Sequence, residues 1–232
     1  MSHPHLPQLS AEDQEAELKN SQDAINANLT GQQCLTIAYS YCEPSIDTIT
    51  RKYYIAARHC QGYTELSTPN NFLSISSIIC GTQGSLQTTQ QFNSKANAAA
   101  ATSGWNVYLI HGVDNDGGYS PLASAVLRES LEYLHNNNDR FWVETFGNVA
   151  RYIRERNAVS VDEISFAEDT IIVWVTDTLD DAIYNQPITV RRPLPEGWTY
   201  AQACQAGDSV RTAVKEIESV KYVEFDAVPD GG

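Results

Sequence analysis

Behind Leu9 the chain turns polar, with apolar residues recurring at Leu18, Ile25 and Leu29. Ser10 stands three residues ahead of Asp13, and Glu12 falls in the first turn, so the spacing predicts a helix from about Ala11 to Asn28 that stops near Gly31. Residues 34–39, apolar and β-branched between Gly31 and Pro44, predict a short buried strand. Ile46, Ile49, Tyr53 and Ala57 repeat at helical spacing behind Ser45. The stretch from Gly62 to Gln91 is rich in Ser, Thr, Asn and Gly and predicts strand and loops, with residues 72–75 as its best strand. Ala96 to Ala101 is a helix former leading into a strand over residues 105–110. Ser120 and Pro121 suit a cap and first-turn proline ahead of Leu127, Leu131 and Leu134, and residues 136–138 end that helix. Residues 141–143 predict another strand, and Phe146, Val149, Ala150 and Ile153 line one face of the next helix. Strands alternating with helices imply a parallel sheet.

Beyond Asn157 the period changes. Residues 160–164, 170–175, 188–191 and 221–225 are short β-rich runs between Asp, Asn, Pro and Gly signals, which predict a small β-sandwich. Residues 229–232 read as a turn awaiting a final strand. The expected organisation is therefore α/β over residues 1–157 and β-sandwich over 158–232.

A chain of 232 residues, 42% hydrophobic and 19% charged, can bury a core as one large domain or two smaller ones. Its net charge of -14 argues against a nucleic-acid partner, because an acidic surface is repelled by phosphates and releases no counterions from them. A neutral or amino-bearing glycan is compatible with that charge. No apolar run approaches the ~20 residues needed to cross a bilayer, and no basic start precedes an apolar segment. The five cysteines, Cys34, Cys42, Cys60, Cys80 and Cys204, show neither Cys-x-x-Cys nor zinc-finger spacing. Two disulfides, for example one between Cys42 and Cys60, and buried free thiols are both open. Asn28-Leu29-Thr30 fits a glycosylation sequon, which matters only in a eukaryotic secretory pathway.

Ser2-His3-Pro4-His5-Leu6 resembles the His-Pro half of the histidine metal motif of polysaccharide deacetylases, the NodB-like carbohydrate esterases. Residues 107–112, Val-Tyr-Leu-Ile-His-Gly, resemble the Leu-x-His motif of that family, and residues 139–152 resemble the stretch that closes one subgroup. The resemblance covers most of residues 1–157 and implies an incomplete NodB-like (β/α) barrel whose first histidine and Asp-Asp pair would precede Met1. It also implies a hydrolase: a divalent-metal deacetylase that removes N- or O-acetyl groups from an acetylated polysaccharide or oligosaccharide, outside the cell or in the periplasm.

That chemistry needs ligands that leave a coordination site open, a base for the attacking water and an acid for the leaving group. By resemblance His3 is a metal ligand, with His5 as a fallback, and the ion is zinc or cobalt. His111 is the general acid, with Gly112 allowing a sharp exit behind it, and Leu109 walls the acetyl pocket. Tyr41 occupies the family's Arg-x-Pro-aromatic stretch and offers a backbone N–H to the oxyanion, while Arg58 stands in for the missing arginine. Asp114 and Asp116, in the loop after His111, orient that histidine or bind sugar hydroxyls, or else form a solvated turn. With much of the metal site absent, low activity is expected of this chain. A second reading has glycan held without turnover on Trp105, Trp174 or Trp198.

Overall fold

The computed structural model describes residues 2–166 and 169–231. In it Ser10 caps helix α1 (Ala11–Asn28): its hydroxyl oxygen accepts the Asp13 backbone N–H at 3.1 Å, filling one of the donors that a helix start leaves open. Of the predicted stripe, Leu18 is buried, whereas Ile25 and Leu29 are exposed. The inner face is completed instead by Gln14, whose amide oxygen accepts the Ser45 hydroxyl and the Ile46 N–H while its amide nitrogen donates to Leu9 O. A buried amide satisfied on both ends fixes α1 against the following segment.

That segment runs through β1 (Thr36–Ala38), the short α2 (Asp47–Thr50) and β2 (Ala56–His59). The helical spacing of Ile46, Ile49, Tyr53 and Ala57 is therefore realised for one turn only. The Ile55 N–H donates to Leu35 O at 2.8 Å and the Ala57 N–H to Phe72 O at 2.8 Å, so ladder bonds override the local period. Next come β3 (Ile75–Ser76), β4 (Ile78–Ile79), α3 (Thr89–Ala101), β5 (Tyr108–Leu109), β6 (Gly112–Val113), β7 (Pro121–Leu122) and α4 (Ser124–Asn136). Helix α3 opens on a capping box, with Thr88 and Gln91 each accepting the other's backbone N–H. The expected cap at Ser120 and Pro121 is displaced: Pro121 pairs with Gly112, and the buried Ser120 hydroxyl donates to Cys80 O at 2.9 Å. Residues 141–143 form no strand, and Trp142 and Val143 are exposed.

The strand pairs of this region are parallel, as the alternation predicts, but each joins only two or three residues. They form one three-stranded sheet, β1-β2-β3, and two separate pairs, β4-β5 and β6-β7. Among the described residues no barrel closes, and the expectation of an incomplete NodB-like barrel is corrected. A barrel needs longer strands tilted and staggered into a continuous ladder, and the Ser- and Gly-rich connections here break the ladder into short pieces. Two apolar clusters fill the region, one of Leu6, Leu18, Tyr39, Ile49, Tyr54, Ala57 and Leu73, the other of Ile78, Cys80, Leu86, Phe92 and Leu122. The buried phenols find acceptors: Tyr39 donates to Leu73 O and Tyr54 to Leu18 O, each at 3.0 Å. Cys42 and Cys60 form a disulfide; Cys34, Cys80 and Cys204 are free.

The chain divides into two units, Met1–Gly147 and Asn148–Gly232, and helix α5 (Phe146–Ala158) runs into the second. That unit adds β8 (Ser160–Phe166), β9 (Ile171–Thr176), β10 (Ile188–Pro193), β11 (Cys204–Gln205), β12 (Asp208–Ser209), β13 (Thr212–Ile217) and β14 (Val220–Ala227). All pairs in it are antiparallel: a β8-β9 hairpin, a β10-β14-β13 sheet and a small β11-β12 pair. Glu224 on the central strand accepts from Arg191 at 2.5 Å and Lys215 at 2.7 Å, and these cations hold its carboxyl below the usual range. The terminal turn holds Pro229 and Asp230, while Gly232 lies outside the described residues. Glu155 of α5 has no exposed surface, and both its carboxyl oxygens face the Gln186 N–H at 2.8 and 3.0 Å. Burial first, with Asp177 adding, pushes its carboxyl up to about 7, against the Gln186 N–H and Arg151, which favour the charged form.

Two outcomes follow for stability. The disulfide spans 18 residues, so the paired Cys42→Ala and Cys60→Ala substitutions are expected to weaken the first unit by about 3 kcal/mol in denaturant titration. An unchanged midpoint would contradict this. Because the folded Glu155 carboxyl binds its proton more tightly than the unfolded one, its contribution is present at low pH and is lost as pH rises from the ordinary 4.5 through about 7. The stability of Glu155→Gln relative to the parent should then grow between pH 5 and pH 8, by roughly 2–5 °C in melting temperature. A difference that stays constant over that range would count against it.

Candidate functional site

The residues singled out in the sequence fall into separate groups. His3 and Tyr41 do meet: the His3 ring stands edge-on to Tyr41 at 4.5 Å, and the His5 ring stacks on Tyr41 at 3.9 Å, with its Nδ1 3.0 Å from Glu43 Oε2. Tyr41 and Cys42 both have positive φ, 54° and 62°, a region costly for residues with a Cβ, and the disulfide from Cys42 to Cys60 secures the turn. Arg58 lies half-buried on β2 opposite Ala38, and burial holds its guanidinium below the usual arginine range.

His111 lies elsewhere, exposed just past β5, with its ring edge-on to Tyr119 at 5.1 Å. Among the described residues no hydrogen bond, ion pair or ring contact joins it to His3 or Tyr41. Leu109 is buried in β5, where its carbonyl accepts the Cys80 N–H at 2.9 Å. Trp105 stacks on Phe146 at 5.2 Å and exchanges two backbone bonds with Glu65. Asp114 serves the backbone, since its carboxylate accepts the Ser124 N–H at 2.8 Å at the start of α4, and this bond lowers its pKa. Asp116 likewise accepts the Val113 and Gly118 N–H groups at 2.9 and 2.8 Å, which hold its carboxyl below the usual range. A Cβ on Gly112 would meet Asp116 Oδ1 at 2.5 Å, so the glycine serves the turn itself.

Among the described residues three potential metal ligands gather only at Asp177, Asp181 and Asp230, in the second unit. His3 belongs to no such group of three among the described residues.

A cleft of about 820 Å³ opens in the second unit. Ile171, Val173 and Val175, spaced two apart on β9, line it from the hairpin, and Val223, Phe225 and Ala227, spaced two apart on β14, line it from the sheet. Arg192 joins the two: its guanidinium reaches both carboxylate oxygens of Glu163 on β8, at 2.5 and 3.3 Å. The half-buried Trp198 borders the cleft, as do Cys204 and the carboxylates Asp169, Asp226 and Asp230, while Trp174, 60% exposed, meets its edge from the outer face of β9. Volume and lining match a small-ligand site: an apolar floor with a few polar groups at its edge. The sequence marks Trp174 and Trp198, but their sharing one cleft with Arg192 depends on pairings between strands far apart in the chain.

No family model matches the chain, and no solved structure does. A curated protein named gellan lyase, from Bacillus sp, is 27% identical over 240 residues, covering 94% of this chain and 10% of that protein. The chain thus spans about a tenth of the length of the curated relative it matches. That relative is named a lyase, and nothing in the comparisons points to a deacetylase. This overturns the resemblance to polysaccharide deacetylases and with it the hydrolase and acetyl-removing activity it implied. The short motifs around His3 and His111 are matched by neither a barrel nor a shared site.

For the loop after β6, Asp116→Ala should release the Val113 and Gly118 amides, which would then exchange with solvent roughly fivefold to tenfold faster by NMR. Unaltered protection would mean that the carboxylate does not hold the turn.

Proposed function

We propose that the chain is a segment of an extracellular polysaccharide-acting enzyme and that the cleft of its second unit holds saccharide. The observation that carries this reading is the cleft itself, with the half-buried Trp198 on its border and the aliphatic side chains of β9 and β14 lining it. A sugar ring is apolar on its C–H faces and polar around its rim, and indole rings present the matching combination of flat apolar surface and one N–H donor. The similarity to a protein named gellan lyase supports a polysaccharide as the class of ligand. The Cys42–Cys60 disulfide supports an oxidising compartment. Among the described residues no helix is long and apolar enough to cross a membrane. On this reading the chain contributes binding, through residues 169–231, to the activity of the whole enzyme.

Cys204 gives a direct test. It is exposed and borders the cleft, whereas burial raises the pKa of Cys34 and pushes the Cys80 thiol up to about 11, so Cys204 should be alkylated first. With gellan-derived, cello- and chito-oligosaccharides at about twice their Kd, at least one should slow alkylation of Cys204 about threefold. Trp198→Ala should abolish the protection. If no saccharide in the panel protects the thiol, the reading fails.

A further inference from the structure

The charges around the cleft say which saccharides it accepts, an inference that rests on the saccharide reading above. Of the described lining residues Arg192 is the single cation, and its guanidinium is already engaged by both oxygens of Glu163. Three lining residues are carboxylates. Asp226 is shared between the Thr189 hydroxyl at 2.7 Å and Arg211 at 3.4 Å. Asp169 is exposed and accepts from the Thr170 hydroxyl, a neutral group. Asp230 accepts the Asp177 N–H at 3.0 Å, and its carboxylate lies within 4.8 Å of those of Asp177 and Asp181. The mouth therefore carries negative charge that no described lining cation balances, within a chain of net charge -14.

A carboxylate on an entering sugar would have to give up water without gaining a cation, and would face Asp169 and Asp230 at short range. A hydroxyl-bearing sugar meets the same carboxylates as hydrogen-bond acceptors for its O–H groups, and its ring meets the Trp198 border. We infer that the cleft selects uncharged, hydroxyl-rich saccharide and discriminates against uronate-bearing saccharide. Discrimination of this kind comes from a repulsive element built into the site as much as from attraction to the preferred ligand.

The test compares a neutral gluco-oligosaccharide with an oligosaccharide of the same length that carries uronates, each titrated calorimetrically into the intact chain at low and at high salt. The neutral ligand should bind with an affinity that hardly depends on salt. The uronate ligand should bind about tenfold more weakly at low salt, with the gap closing as salt screens the mouth. In the Asp169→Asn, Asp230→Asn double variant the gap at low salt should shrink, the uronate ligand binding more tightly than to the parent chain and the neutral ligand more weakly as its O–H groups lose charged acceptors, while an unchanged tryptophan emission spectrum reports that the cleft is intact. Equal or tighter binding of the uronate ligand at low salt, or a gap unaltered in the double variant, would overturn the charge selection and leave the saccharide cleft standing. Binding of neither ligand would overturn the saccharide reading itself.

Discussion

The Arg192–Glu163 pair sets the form of the second unit. It ties β10 of the three-stranded sheet to β8 of the hairpin by a bidentate bond. An ion pair with one partner 22% and the other 44% exposed contributes little net stability, about 1 kcal/mol at most, because water competes for both groups. Its effect is geometric. Behind it, Val223 and Ala227 on β14 are buried while Ile171, Val173 and Val175 on β9 stay half-buried, so the sheets stop short of full interdigitation and leave the cleft. At the end of β9 the Asp177 N–H bonds to Asp230, which fixes the terminal turn beside the same opening. Fold and site are thus one arrangement, with a pair of sheets braced by polar contacts at their margins.

The first unit uses covalent and buried polar contacts where its short strands supply few ladder bonds. Gln14, Tyr39 and Tyr54 each place a polar atom inside the core with a partner, and the Cys42–Cys60 bond closes a left-handed turn that hydrogen bonds alone would hold weakly. The turn presents Tyr41 between His3 and His5, an aromatic group whose exposure and backbone strain set it apart from the core rings.

Local signals in the sequence located what local physics decides. Helix α1 begins and ends where Ser10 and the polar run near Gly31 place it, and α3 and α5 follow from helix-forming and amphipathic stretches. Where two local signals compete, the sequence misleads: Ile46, Ile49, Tyr53 and Ala57 carry a helical period, yet residues 55–59 form more bonds as a strand between β1 and β3. Ser120 and Pro121 resemble a helix start, but the buried Ser120 hydroxyl serves Cys80 across the core. The site was legible only as residue types. Trp174 and Trp198 stand out on any reading, whereas the cleft that joins them is created by β14 running between β10 and β13 and by one cross-sheet ion pair, contacts that no periodicity encodes. Conversely, His3 and His111 resembled parts of one motif set because short patterns containing histidine recur by chance, and the fold keeps them in different surroundings.

Saccharide binding in the second unit is tested most sharply by a heteronuclear NMR titration of the intact chain with a neutral oligosaccharide, following backbone amides and indole N–H signals together. Shifts confined to β9, β14 and the Trp198 indole are expected, with the Arg192 side-chain signal moving and residues around His3, Tyr41 and His111 unchanged. Shifts centred on the His3–Tyr41 turn or the His111 loop, with the second unit silent, would contradict a saccharide cleft between β9 and β14.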